Sequence, residues 1–425
     1  MLTAEENDLL TRVGPGTPMG ALFRRFWMPA FLADELPEPD GAPIRIRLLG
    51  EDLVAFRDSN GRIGAIDAYC AHRRAPLFFG RNEACGLRCA YHGWKYDVEG
   101  ICVDMPSESP ESNFRDKLRL KAYPCREYGG VVWVYMGPAD KVPELPRLEW
   151  AELAASRRTI SYWINQANWL QGMEGDIDTS HVSYLHSRLK PDTGMGVVRP
   201  EGRVDGAPRL SVQDTDAGFA YGGRRTLPEG RYYWRVTQWL LPAFSLIPAY
   251  SQPKSCTGWM PVDDHHTLRF SFLFNAEGPM AAPVAGRATP REWGPFELPD
   301  GGVIDTWIPE QRKRNLYGLD RQRQRTDNYS GIEGISTQDR AMTEGMGYVC
   351  DRTQEHLGTS DVAIIAARRR LLRMVRDLQQ GIEPYVASHG DLYRVRALDV
   401  ISDESELPAL LESNAEQLQA PALKA

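Results

Sequence analysis

The sequence predicts an α+β chain: a small antiparallel β domain, then a larger domain of antiparallel sheet wrapped by helices. Three observations predict it. Apolar and polar residues alternate with period two from residue 43 onward, as in Ile44-Arg45-Ile46-Arg47-Leu48. Strand-length runs recur through both halves, separated by Gly, Asn and Pro turns. One long stretch, Asp361–Leu378, instead carries an apolar stripe with helical spacing. A length of 425 residues asks for two domains.

Residues 1–42 read as a helical and loop segment. Leu9, Leu10 and Val13 precede a Gly-Pro-Gly turn, and Pro18 opens a second helical pattern through Leu22, Phe23 and Phe26. Residues 43–150 read as the small β domain. Asp52–Arg57 and Arg62–Asp67 flank Asp58-Ser59-Asn60-Gly61, a hairpin signal, and Gly130–Met136 is a further strand. A Pro-rich stretch at 143–147 closes the domain.

Residues 151–425 read as the second domain. Thr159–Ile164, Phe219–Leu227, Arg231–Leu241, Leu246–Tyr250, Ser255–Pro261 and Thr267–Phe274 have strand composition. Asn168–Tyr184 lacks proline and spaces Leu170, Met173 and Ile177 as a helix does. Residues 187–206 read as a mobile loop and 277–302 as a long connection. Ile335–Gly345 is a helix candidate. Asp361–Leu378 is a stronger one, with Ser360 as its cap and Gly381 at its end.

Composition excludes several function classes. Net charge is −7, without the basic excess of a nucleic-acid binder. No apolar run reaches membrane-spanning length, and the acidic start has no apolar signal region behind it. These features place the chain in the cytoplasm, where its seven cysteines read as ligands or reduced thiols.

The chemistry concentrates between Cys70 and His92. Cys70-Ala-His72 is followed by sixteen residues and then by Cys89-Ala-Tyr91-His92-Gly93-Trp94. Each cluster holds one Cys and one His, whereas a structural zinc site more often pairs like with like. One Cys and one His per loop suits a [2Fe–2S] centre with two thiolates on one iron and two imidazoles on the other. The ligands are then Cys70, His72, Cys89 and His92. Cys85 has no matching partner and reads as a free thiol.

A second set lies at Asp178-Thr179-Ser180-His181 and His186. Asp178 and His181 would share a helix face. His186, five residues on, converges with His181 only if the helix loosens or ends there. Two histidines with one distant carboxylate make a facial triad that leaves positions open on ferrous iron. Asp327, Asp339, Glu344, Asp351 and Asp361 all remain open as the carboxylate. His265 and His266 read as solvated loop residues. Arg235, in Tyr233-Trp234-Arg235-Val236-Thr237-Gln238-Trp239, shares a strand face with Tyr233, Thr237 and Trp239. There it can hold a substrate carboxylate by a bidentate pair.

With Arg73 and Tyr91 the first motif resembles that of the Rieske-type non-haem iron oxygenases. Gln338-Asp339 with Glu344-Gly345, Asp351-Arg352 and Leu357-Gly358 is similar to the phthalate dioxygenase branch of that family. The resemblance implies a Rieske domain followed by a helix-grip-like catalytic domain. It implies one [2Fe–2S] cluster and one Fe(II) per chain, and Asp339 as the third iron ligand. It gives Asp178 the task of bridging His181 and His92 of the partner subunit in a head-to-tail trimer. The activity implied is that of a terminal oxygenase. Such an enzyme uses O2 and NAD(P)H-derived electrons from a separate flavin and iron–sulfur reductase, since no Gly-rich dinucleotide fingerprint occurs here. The substrate implied is aromatic, carboxylated as phthalate is, with ring hydroxylation as the outcome. O-demethylation of a methoxylated aromatic acid is the alternative. A Rieske electron carrier without catalysis is the remoter one.

Overall fold

Strand Glu51–Arg57 alternates between two cores. Leu53 and Ala55 point into the main core of the molecule, and Val54 and Phe56 into a second, smaller one. The fold is a computed structural model, and it describes residues 2–109, 111–189, 201, 206–249, 251–281 and 289–422. The strand belongs to a four-stranded antiparallel sheet with Ile44–Leu48, Ile63–Asp67 and Ala122–Tyr123. Asp58 closes its hairpin from a fully buried position, its carboxylate accepting from the amides of Asn60 and Arg62. A second four-stranded sheet, Arg81–Glu83, Gly86–Arg88, Lys95–Tyr96 and Cys102–Asp104, completes the smaller core around Cys70, Cys89, Trp94 and Tyr96.

The N-terminal segment holds a strand, Trp27–Leu32, where helix and loop are expected. It pairs with Val131–Tyr135, whose five residues are all buried. Pairing with this apolar strand overrides the local helical spacing. Both strands pack into the main core.

The larger domain is built on an eight-stranded antiparallel sheet. Its order runs Arg158–Asn165, Thr267–Phe274, Lys254–Pro261, Phe244–Ile247, Tyr232–Leu240, Gly218–Thr226, Arg209–Thr215, with Leu398–Ser402 added beside Tyr232–Leu240. Tyr250 lies outside the described residues, as do 190–200 and 202–205 of the loop expected at 187–206. The connection expected at 277–302 contains a strand, Arg291–Glu297, hairpinned to Val303–Pro309. Helix Val362–Gln379 buries Ala363, Ala367, Leu371, Leu372 and Val375. It is entered by a 3-10 turn at Thr359–Asp361 rather than capped by Ser360, and Gly381 at φ 84 follows its end.

Helix Trp169–Asp176 packs on Lys254–Pro261 and Phe244–Ile247 near the middle of this sheet, and helix Ile335–Gly345 packs on that helix. Asn168 caps the first, accepting from the Leu170 amide at 3.2 Å. Gly172 allows the close approach: a Cβ there would lie 2.1 Å from the Trp259 ring. Gln171 ties the pair together, donating to Thr343 O (2.8 Å) and Gly347 O (3.0 Å). Beneath them Glu174 joins Arg352 (2.8 Å) and Arg368 (2.6 Å) in a buried ion network.

Candidate metal centres

In the smaller core, two loops present Cys70 with His72 and Cys89 with His92. The Cys70 and Cys89 thiols are buried neighbours, and the His72 and His92 ring centroids lie 4.4 Å apart. Each loop is a tight turn: Arg74 N donates to Cys70 O (2.9 Å), and Gly93 N to Cys89 O (3.0 Å). Gly93 is required by its φ of 79 and by Pro106, 2.7 Å from where a Cβ would stand. Trp94 stacks on His72 at 4.4 Å.

Burial pushes the Cys70 thiol up, against the hydrogen bond from Tyr96 Oη at 3.3 Å. Burial, with His72 and Arg73 nearby, holds the His92 imidazole below its ordinary value. His72 Nδ1 is buried and has no protein hydrogen-bond partner. Two thiols and two imidazoles converging, one ring nitrogen orphaned, fit a [2Fe–2S] centre with mixed ligation.

The second group assembles from three segments. Helix Trp169–Asp176 ends earlier than expected, because Asp176 turns down to accept from Thr257 Oγ1 and from Trp259 Nε1. Asp178 and His181 therefore share a turn rather than a helix face. The Asp178 carboxylate accepts from Ser180 N at 2.7 Å, and His181 opens a 3-10 turn. That turn brings His186 back to His181, with Nε2 to Nε2 at 3.2 Å. Asp339, on helix Ile335–Gly345, sets its Oδ1 3.0 Å from His186 Nε2 and 3.7 Å from His181 Nε2.

Donors in cis positions about 2.1 Å from one metal ion stand roughly 3 Å apart, which these three atoms approach. Among the described residues this is the group of His, Cys, Asp and Glu whose donor atoms crowd together enough to hold an ion. The other open carboxylates are engaged elsewhere. Glu344 accepts from Gln166 N and Tyr317 Oη, Asp351 from Thr353, and Asp361 from Gly358 N. Asp327 lines a pocket with Arg188 and Arg323 that His186 also borders, but it is not part of the group whose donor atoms crowd together.

The charges around the triad reinforce one another. Burial opposes each ion, yet His181 holds the Asp178 carboxyl low, and His186 does the same for Asp339. Asp178 Oδ2, 3.4 Å from His181 Nδ1, in turn raises that imidazole against its burial. Two further residues support the site. Tyr221 Oη accepts from the Thr179 amide at 3.2 Å, and Gln338 Oε1 meets His186 Nδ1 at 2.6 Å. Gln338 carries a signal only through its place beside Asp339. Tyr221 carries none, being one aromatic among many on the strands.

Arg235 is buried, and its Nη2 donates to Pro248 O at 3.1 Å. Across the sheet it stands opposite Gly223, where a Cβ would lie 3.1 Å from Thr179 Cγ2. Directly opposed residues share a sheet face, so Arg235 is on the side that faces the Asp178–His181 turn. His265 is exposed as expected. His266 is not: it is buried, with Nδ1 2.9 Å from Asp263. The turn folds that imidazole back over its own aspartate.

Comparison with known proteins matches residues 26–124 to the Rieske [2Fe-2S] domain and residues 134–406 to the LigXa C-terminal domain like family. The chain is 42% identical to the phthalate 4,5-dioxygenase oxygenase subunit of Pseudomonas putida, over 90% of this chain and 88% of that one. It is 40% identical to the 3-chlorobenzoate-3,4-dioxygenase oxygenase subunit of Comamonas testosteroni, over 88% and 89%. With the 5,5'-dehydrodivanillate O-demethylase oxygenase subunit of a Sphingobium species the identity is 34%, over 90% and 83%. The fold resembles that of Pseudomonas putida CBB5 NdmA (QL mutant, with caffeine), with TM-score 0.60 and 20% identity over 92% of this chain and all of that one. By its two matched domains and these relatives, the chain belongs to the Rieske-type non-haem iron oxygenases, as a terminal oxygenase subunit of the phthalate dioxygenase-like branch.

Proposed function

We propose that this oxygenase hydroxylates an aromatic carboxylate, with Cys70, His72, Cys89 and His92 holding the cluster and His181, His186 and Asp339 holding ferrous iron. The observation that carries the reading is the crowding of the three donor atoms at 3.0–3.7 Å in a chain that also bears the Rieske motif. When bound, the cluster supplies single electrons and the ferrous ion activates dioxygen.

The chain's own residues prepare that chemistry. Asp178 holds a proton on His181 Nδ1, which leaves Nε2 as the lone-pair donor. On the other side the same carboxylate accepts from His92 of the partner subunit in a head-to-tail trimer. Its side chain, 26% exposed, is open to such a contact. Arg235 holds the substrate carboxylate from the sheet. Electrons come from a separate NAD(P)H-dependent reductase carrying flavin and iron–sulfur groups. No helix of the described residues is long and apolar enough to cross a membrane. Free cysteines at 70, 85, 89, 102, 125, 256 and 350 support a reducing, cytoplasmic setting.

The carboxylate in this reading comes from the relatives that act on phthalate and 3-chlorobenzoate. A second reading, O-demethylation of a methoxylated aromatic acid, is favoured by the likeness to the dehydrodivanillate enzyme. Oxygen uptake with a panel of phthalate, chlorobenzoate, methoxybenzoate and an uncharged aromatic tests both. Uptake coupled to a hydroxylated acid supports the first reading, and formaldehyde release the second. Equal turnover of the uncharged ring refutes the carboxylate assignment. Iron analysis separates all of these from a simple electron carrier, at about three irons per chain against two.

A further inference from the structure

The two histidines of the triad are gripped from behind by different chemical groups. His181 Nδ1 faces a carboxylate, Asp178, at 3.4 Å. His186 Nδ1 faces a carboxamide oxygen, Gln338 Oε1, at 2.6 Å. The amide is oriented by its other end: Gln338 Nε2 donates to Ile332 O at 2.8 Å, and that carbonyl also accepts from Asn328 Nδ2 at 3.0 Å. A flipped amide would set two oxygens against each other at Ile332 and offer a donor to His186. Only the orientation with Oε1 toward the ring satisfies both contacts. His186 must then carry its proton on Nδ1 and present its Nε2 lone pair to the side where Asp339 stands.

We infer that Gln338 is the positioning residue of His186: a neutral acceptor that fixes its tautomer and ring plane, as Asp178 does for His181 with a charged one. This rests on the reading that His181, His186 and Asp339 hold ferrous iron. Gln338 and Asp339 are consecutive on helix Ile335–Gly345, so one element sets a ligand and the orienter of another. Because an amide draws less on the imidazole proton than a carboxylate, the two ring nitrogens facing the metal are unlike donors, His181 the stronger. The exposed pair is the charged one and the interior pair the neutral one: the His181 side chain is 24% exposed, that of His186 11%.

The test uses the holoenzyme with its cluster absorption as a check of folding. Ferrous affinity is measured by competition with a chelator, and the ferrous site is read by electron paramagnetic resonance of its nitric oxide adduct. Gln338→Leu, which cannot accept, is expected to weaken ferrous binding about 10–100-fold and to change the adduct spectrum. Gln338→Glu keeps an acceptor and should restore most of the affinity. Wild-type affinity and spectrum in Gln338→Leu would overturn the assignment. So would equal loss in both variants with the cluster intact, because the role would then be one of packing. Asp339→Ala is run beside them. If it and the wild type hold the same iron, the triad reading falls with the inference; if only Gln338→Leu is silent, the triad stands and the inference alone fails.

Discussion

Asp178 and His181 meet through Oδ2 and Nδ1 at 3.4 Å, in a turn that begins where a helix breaks off two residues earlier. The carboxylate is about a quarter exposed, and the imidazole holds it low against its burial. Asp178→Asn keeps the size and loses the charge. It should leave both metals in place and slow oxidation of the reduced cluster by the mononuclear site at least about 10–100-fold. Stopped-flow absorbance of the prereduced protein mixed with substrate and oxygen measures this, and an unchanged rate would remove Asp178 from the path.

The two candidate centres should come apart by mutation. Cys89→Ala is expected to abolish the visible absorption of the cluster while ferrous binding at the triad persists. Asp339→Ala should do the reverse, keeping the cluster spectrum and losing ferrous ion on dialysis. Metal analysis against absorbance on the two proteins decides it.

Arg235 lies buried on the sheet face beneath the Asp178–His181 turn. Loss of a charge-assisted pair costs about 1.5–3 kcal/mol. Arg235→Met should therefore raise KM for a carboxylated aromatic about 10–100-fold and leave that for an uncharged analogue nearly untouched. Arg235→Lys should recover only part, since one ammonium replaces a two-pronged contact. Equal effects on both substrates would make the residue structural.

Glu174 sits beneath the ligand-bearing turn and accepts from two buried arginines, Arg352 and Arg368. Removing it leaves Arg352 with only Asn7 Oδ1 and the Cys350 carbonyl, while Arg368 keeps Glu355, at a cost of about 3 kcal/mol. Glu174→Ala should lower the unfolding free energy by that much and loosen ferrous retention, both absent from a control at the exposed Glu229.

Glu35 is raised by burial to about 7, against hydrogen bonds from Tyr162 and Trp307. Its folded value exceeds the ordinary 4.5, so the folded state binds the proton more tightly. The stabilisation is complete below about pH 4.5 and is lost as pH rises through 7, an effect on the order of 3 kcal/mol. Thermal unfolding from pH 5 to 8 should show that slope, and Glu35→Gln should flatten it.

The sequence made the fold and the chemistry legible where the signals were local. Strand Thr267–Phe274 and helix Ile335–Gly345 stand where their patterns place them. The Cys-x-His and Cys-x-x-His spacings describe loops that fold on themselves, so no distant partner is needed to read them. What was not legible depended on contacts far along the chain. Trp27–Leu32 became a strand because Val131–Tyr135 was there to pair with it. The helix before Asp178 stopped short because Thr257 and Trp259 offered donors to Asp176. Gln338 meets a histidine 152 positions away, a relation that no periodicity expresses.

The sheet whose alternate residues feed two cores has a mechanical consequence. A domain hung on a linker could swing its redox group between donor and acceptor. Here the lobe around Cys70 and Cys89 shares a wall with the body that carries Asp339, and a one-residue slip in Leu53–Phe56 would exchange the two linings. The lobe is thus bolted, not tethered. An electron donor therefore has to come to a cluster whose place is fixed by that wall.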